Sequence, residues 1–159
     1  MPALITTVPL VLTALVQLAE TALPGVQVYD GPNDEDNLPD EYCAIGYSRD
    51  EEDSSVDGGA SDDGNNSASE SYSVHCIISV ASGDTGPGSV AARRARCATL
   101  FGQLVTALRA DPALAGTLTA GARADVGDFG WIYGPSAGGG TYAEVEFDIN
   151  VSAYYLGMS

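Results

Sequence analysis

Residues 143–153 read AEVEFDINVSA, the strictest alternation in the chain. Ala143, Val145, Phe147, Ile149, Val151 and Ala153 fall on one side of an extended backbone, and Glu144, Glu146, Asp148, Asn150 and Ser152 on the other. A period of two belongs to a strand with one buried and one wet face. Strands of parallel sheets, covered on both faces, read instead as continuous apolar runs. The alternation therefore predicts a largely antiparallel sheet covered on one face.

The remaining elements are consistent with that sheet. Tyr72, Val74, Cys76, Ile78 and Val80 alternate with Ser73, His75 and Ser79, a second clear strand. Asp125–Tyr133 is an aromatic-rich strand, and Val26–Tyr29 and Tyr42–Ser48 are short ones, the latter with Cys43, Ile45 and Tyr47 assigned to one face. Leu4, Val8, Val11, Leu12, Leu15, Leu18 and Ala22 recur at helical spacing, entered through Thr7 with Pro9 in the first turn and stopped by Pro24-Gly25. A second helix runs from Ser89, its expected N-cap, to about Arg109, with Val90, Cys97, Leu100, Phe101, Leu104 and Leu108 on one side. The predicted order is α-β-β-β-α-β-β: an α+β two-layer sandwich, with a mostly antiparallel five-stranded sheet and two helices on one face. Length predicts a single domain over residues 1–159.

Charge is unevenly spread. Residues 30–70 hold fourteen acids against Arg49 alone, a net −13 of the chain's −16, and the chain has no lysine. A field of that sign repels nucleic acid and anionic membrane. Within it, residues 50–71 are almost entirely Ser, Asp, Gly, Asn and Glu, with Val56 the one large apolar side chain. Such a stretch buries too little surface to order itself, so a flexible acidic loop is expected there between two strands. Deleting residues 54–69 is then expected to cost little stability.

The apolar run 8–18 has no basic flank and is interrupted by Thr13 and Gln17, which favours a helix over an export signal or a membrane span. Cys43, Cys76 and Cys97 have no paired spacing and sit in apolar segments, as small buried hydrophobes in a reducing compartment do.

Motifs for chemistry are incomplete. Gly83-x4-Gly88 opens like a phosphate-binding loop, but Ser89 stands where its lysine belongs, and Gly86-x-Gly88-x-x-Ala91 lacks a βαβ continuation. Asp53-x-Ser55-x-Asp57-Gly58 begins like a calcium loop, yet its twelfth position is Gly64 instead of Glu. His75 is the only histidine and lies on the polar side of its strand. No catalytic residue, cofactor or metal site is expected, and Glu144, Glu146 and Asp148 read as a solvated sheet face. Arg93, Arg94 and Arg96 hold half of the chain's cations at a helix start, where the macrodipole disfavours positive charge. Their partners are either acids of the same chain or an acidic patch on a neighbouring subunit. Together with Trp131 and Tyr133, which share a strand face, they are the candidate subunit interface.

The succession of an amphipathic helix (4–22), a strand after a Pro-Gly break (GVQVYDGP, 25–32), two strands bracketing a variable polar loop, a second helix (89–109) and a closing pair of strands resembles the tail terminator, or tail completion, proteins of long-tailed bacteriophages. That resemblance implies a structural virion protein without enzymatic activity, assembled in the host cytoplasm and located at the head-proximal end of the tail. It implies a homo-oligomeric, hexameric ring that caps the tail tube protein and meets the head–tail connector, with no membrane contact. DNA would pass through it without specific binding. On this reading Asp50, Glu51, Glu52, Asp53, Asp57, Asp62, Asp63, Glu144, Glu146 and Asp148 form a lumen or other acidic surface that keeps DNA from sticking. The alternatives are another neck or tail tube protein, an acidic DNA-mimic binding protein, and an enzyme using the Gly83–Ser89 turn.

Overall fold

The computed structural model describes residues 6–32, 38–49, 55–64, 67–118 and 122–156, without the side chains of 62–68 and 155–156. In chain order the elements are α1 (Val8–Ala22), β1 (Gln27–Asp30), β2 (Glu41–Ile45), β3 (Val56–Gly64), β4 (Ser67–Ser82), α2 (Ser89–Ala110), β5 (Arg123–Pro135) and β6 (Thr141–Leu156). The fold is α+β, with two helices and a mostly antiparallel sheet, as expected. The sheet has six strands instead of five, and the element order gains a strand before α2.

Strands run β1-β2-β4-β6-β5, with β3 also on β4; only the β1–β2 pairing is parallel. β6 pairs along the whole of β4, from Ser67 opposite Leu156 to Ser82 opposite Thr141. The other edge of β4 is shared: β2 takes residues 76–80 and β3 takes 67–74. His75 sits at the seam, its N–H donating to the Ser55 carbonyl at 3.0 Å and its carbonyl accepting from Tyr47 N–H at 2.8 Å.

The added strand corrects the expectation of a loop over 50–71. Residues 55–64 and 67–71 lie against or within β3 and β4, while 50–54 and 65–66 fall outside the described residues. β3 is a polar edge strand, and from Asp57 to Ser61 it is exposed. It needs no apolar alternation, because a neighbour already aligned by β6 supplies its backbone partners. Tertiary context overrides propensity here, and acids on an edge discourage that edge from pairing with its own copy in another molecule. Gly58 is required by close approach, since a Cβ there would run into the Ser71 carbonyl and Tyr72.

One face of the sheet carries the core. Val11, Leu15 and Ala19 of α1, and Cys97, Leu100, Leu104 and Leu108 of α2, pack on Cys43, Ile45, Val74, Cys76, Ile78, Val145, Phe147 and Ile149. Both helices thus cover the same face, and all six apolar residues of the 143–153 alternation are buried there. Burial pushes the thiols of Cys43 and Cys97 up to about 12 and that of Cys76 well above the ordinary range, as expected of inert core cysteines. Tyr47 is a correction. Gly46 (φ +75) turns the chain after β2, so Tyr47 packs with Tyr42, Ala44 and Ile77 on the opposite face.

The helix ends show one expected and one unexpected cap. Gly88 (φ +82), and not Ser89, is the N-cap residue of α2. Thr7 caps α1 as expected, but its side chain makes no capping bond. A carboxylate from β4 does that work: Glu70, only 7% exposed, accepts from Thr7 N–H and Thr7 Oγ1 at 2.5 Å each and from Thr6 Oγ1 at 2.9 Å. Tyr72 OH lies 2.9 Å from Thr7 Oγ1. Burial pushes the Tyr72 phenol up to about 12, against the Thr7 hydrogen bond and with help from the Glu70 charge.

Candidate functional site: the open face of the sheet

The face away from the helices is built on β4 and β6. Their register sets Ser79 opposite Glu144, Ile77 opposite Glu146, His75 opposite Asp148 and Ser73 opposite Asn150. Three of these four rungs are bonded. Ser79 Oγ donates to Glu144 Oε1 at 3.0 Å, His75 Nδ1 meets Asp148 Oδ1 at 2.5 Å, and Ser73 Oγ donates to Asn150 Oδ1 at 2.7 Å.

Two cations complete the face. Arg49, just after β2, places Nη2 2.5 Å from Glu144 Oε1 and Nε 3.7 Å from Glu146 Oε1. His75 joins Asp148 to Asp57 of β3, its Nε2 lying 2.7 Å from Asp57 Oδ2. Burial opposes charge on the imidazole, but the hydrogen bonds to Asp57 and Asp148 and their charges outweigh it, so its pKa is raised above 6.5. Tyr47, Arg49, His75, Asp128, Glu146 and Asp148 are among the residues lining a shallow cleft of about 220 Å³. Glu144 is 6% exposed, and its Oε2 is buried without a partner among the described residues.

The candidate acidic surface is therefore partly compensated: Glu144, Glu146, Asp148 and Asp57 share Arg49 and His75. Asp50, Glu51, Glu52 and Asp53 lie outside the described residues. Asp62 and Asp63 lie in β3 by backbone, with their side chains outside the description.

The candidate interface divides. Arg96 forms a two-pronged ion pair with Glu41 at 2.7 and 3.0 Å, the same-chain alternative weighed for this cluster. That hydrogen bond, opposed by burial and aided by the Arg96 and Arg93 charges, holds the Glu41 carboxyl below its usual range. Arg94 sits 4.7 Å over the Tyr133 ring, a cation–π contact that ties the start of α2 to β5. Arg93 is half-buried, and its Nε has no partner among the described residues. Trp131 does share the Tyr133 face, but it packs edge-on against Phe101 at 6.5 Å, against the core. The more exposed aromatic of that strand is Phe129, at 62%, which the sequence reading left out of the interface.

Chemically the open face is a ladder of ion pairs. Both nitrogens of His75 are engaged by carboxylates, and the Ser79 hydroxyl donates to Glu144. Among the described residues no three His, Cys, Asp or Glu side chains converge to hold a metal ion, and no helix is long and apolar enough to cross a membrane. Arg49, His75 and Glu70 are the residues whose roles sequence reasoning missed; the His75 position on a polar strand face was visible, its partners were not. No protein-family model matches this sequence, and comparison with curated proteins returns no match.

Proposed function

We propose that this chain is a structural virion protein, a tail terminator that closes the head-proximal end of a phage tail tube as a six-membered ring and offers a surface to the head connector. A head-to-tail ring needs two different, complementary surfaces on each subunit. The observation that carries the reading is the contrast between the two edges of the sheet. At the β5 edge Arg94 lies over Tyr133, with exposed Phe129 nearby, and Arg123 pairs with Asp125. The opposite edge is formed in part by β3, whose sequence VDGGASDDG holds three acids and no cation. Contact between a β5 edge and the β3 edge of the next copy would set Arg94, Tyr133 and Phe129 against acids, with β5 itself also carrying Asp125, offset by Arg123, and Asp128.

The DNA-mimic reading is the weaker one, because the acids of the open face are partly compensated by Arg49 and His75. A neck or tube subunit would share the same surfaces and differ in how its assembly ends.

Interface variants test the reading. Arg94→Glu, and Arg93→Glu with Arg94→Glu, are expected to abolish the oligomer in light scattering while the circular dichroism spectrum stays native. The single variant guards against a folding effect of half-buried Arg93. Assembly unchanged in both would remove this edge from the interface and the reading with it.

A further inference from the structure

We propose that His75 is a pH-operated clasp that fastens the edge strand β3 to the body of the sheet. The placement of its ring carries the inference. One nitrogen lies 2.5 Å from an oxygen of Asp148 on β6 and the other 2.7 Å from an oxygen of Asp57 on β3. Ionised carboxylates only accept hydrogen bonds, so both contacts are satisfied only when both ring nitrogens carry protons. A neutral imidazole has one N–H and one lone pair. Whichever tautomer it adopts, one carboxylate then faces a lone pair at hydrogen-bond distance, and the two aspartates lose the charge that holds them together.

The location makes that loss mechanical. The His75 backbone is where the chain after β2 and the start of β3 meet on β4, through the Tyr47 and Ser55 bonds. Asp57 is the second residue of β3, next to Val56, the one described β3 side chain packed against the core. The ring lies opposite β6, which β4 pairs along its full length and β5 pairs on the other side over 141–152 with a register break at Asp148, so β3 is the partner that can leave. The charged and titratable groups around the ring are Asp57 from β3, Asp148 and Glu146 from β6, Arg49 and the Tyr47 phenol from the segment after β2, and Asp128 from β5 at the cleft wall. The acids outnumber Arg49, so the surroundings favour the protonated ring. The two carboxylates sit at opposite ring nitrogens, so they cannot join the imidazole on one metal ion; a proton is the ligand that this arrangement takes.

The sign follows from the raised pKa. The clasp is fully closed below about 6.5, the ordinary histidine value, and opens as pH rises through the higher value of the folded protein. Ordinary Asp and Glu side chains stay ionised between about pH 6 and about pH 9, so His75, the chain's single histidine, dominates side-chain titration there.

The single histidine also makes the test direct. Proton NMR of its ring over that range, with amide exchange of β3 and β4 corrected for intrinsic rates, reads ring and strand together. The expected result is a midpoint above 6.5 in the native chain, a lower midpoint in Asp57→Asn and in Asp148→Asn, and severalfold faster exchange across residues 56–64 on the alkaline side only. In His75→Gln that exchange step is expected to vanish. A native midpoint at or below 6.5, or β3 exchange with the same pH dependence in the native and His75→Gln proteins, would overturn the clasp. Asp57 lies on an exposed edge, so its variant tests the idea even if Asp148→Asn fails to fold.

Discussion

Glu70→Ala is expected to lower the stability of the fold by about 2–3 kcal/mol, although its position reads as part of a polar loop. The carboxylate accepts three hydrogen bonds from Thr6 and Thr7 at the start of α1, a helix whose own N-cap side chain makes no capping bond. Removing it leaves the buried Thr7 N–H at the helix start without its acceptor, at about 1–3 kcal/mol, while the Thr7 hydroxyl keeps Tyr72 OH. Its negative charge at the positive end of the helix adds a favourable dipole contribution. Glu70→Gln keeps an acceptor and loses the charge, so about 1 kcal/mol is expected for it. Urea titrations of the three proteins check the ranking. A change below about 0.5 kcal/mol in Glu70→Ala, the range of ordinary surface substitutions, would show that β4 does not hold the helix start.

Phe147→Ala carries the larger cost, about 3–5 kcal/mol. Phe147 is 2% exposed, and its ring lies 4.9 Å from that of Phe101 on α2, which in turn meets Phe129 and Trp131 of β5. It fills the space between the sheet and the second helix, where close packing makes a void of that size costly. Phe147→Leu retains most of the volume and should cost clearly less. The check is again equilibrium unfolding, with assembly followed in the same samples. A loss below about 2 kcal/mol in the alanine variant, the lower bound for such truncations, would mean that α2 collapses onto the sheet and that the aromatic cluster does not position the β5 edge.

What the sequence disclosed follows from how each element is held. β6 and the core half of β4 alternate apolar and polar residues because one face of each is buried, and α1 and α2 show helical spacing for the same reason. Those elements were legible to within a few residues. β3 was not, because an exposed edge strand is held by backbone bonds to β4 and needs no apolar pattern. Glu70 gave no local sign of its role, since its partners Thr6 and Thr7 lie more than sixty residues away in sequence. The pairing of Arg49 with Glu144, and of His75 with Asp57 and Asp148, likewise depends on strand register and on which turn brings Arg49 over the face. Alternation tells which side of a strand a charge occupies and not which charge stands opposite. This is why Glu146 and Asp148 were correctly placed on the open face yet read as bare carboxylates, while Glu144, read as solvated with them, is buried at 6% exposure beneath Arg49.

That register also revises the deletion of residues 54–69. It now removes β3 and Asp57 with it, so the small cost expected of a loop no longer applies.

The measurement that tests the central proposal most directly is electron microscopy of the purified protein, with class averages sorted by symmetry at several protein concentrations and with millimolar magnesium to screen the acids. Closed six-fold rings with a central hole are the predicted result. Open tubes of indefinite length, or single subunits under every condition, would contradict it.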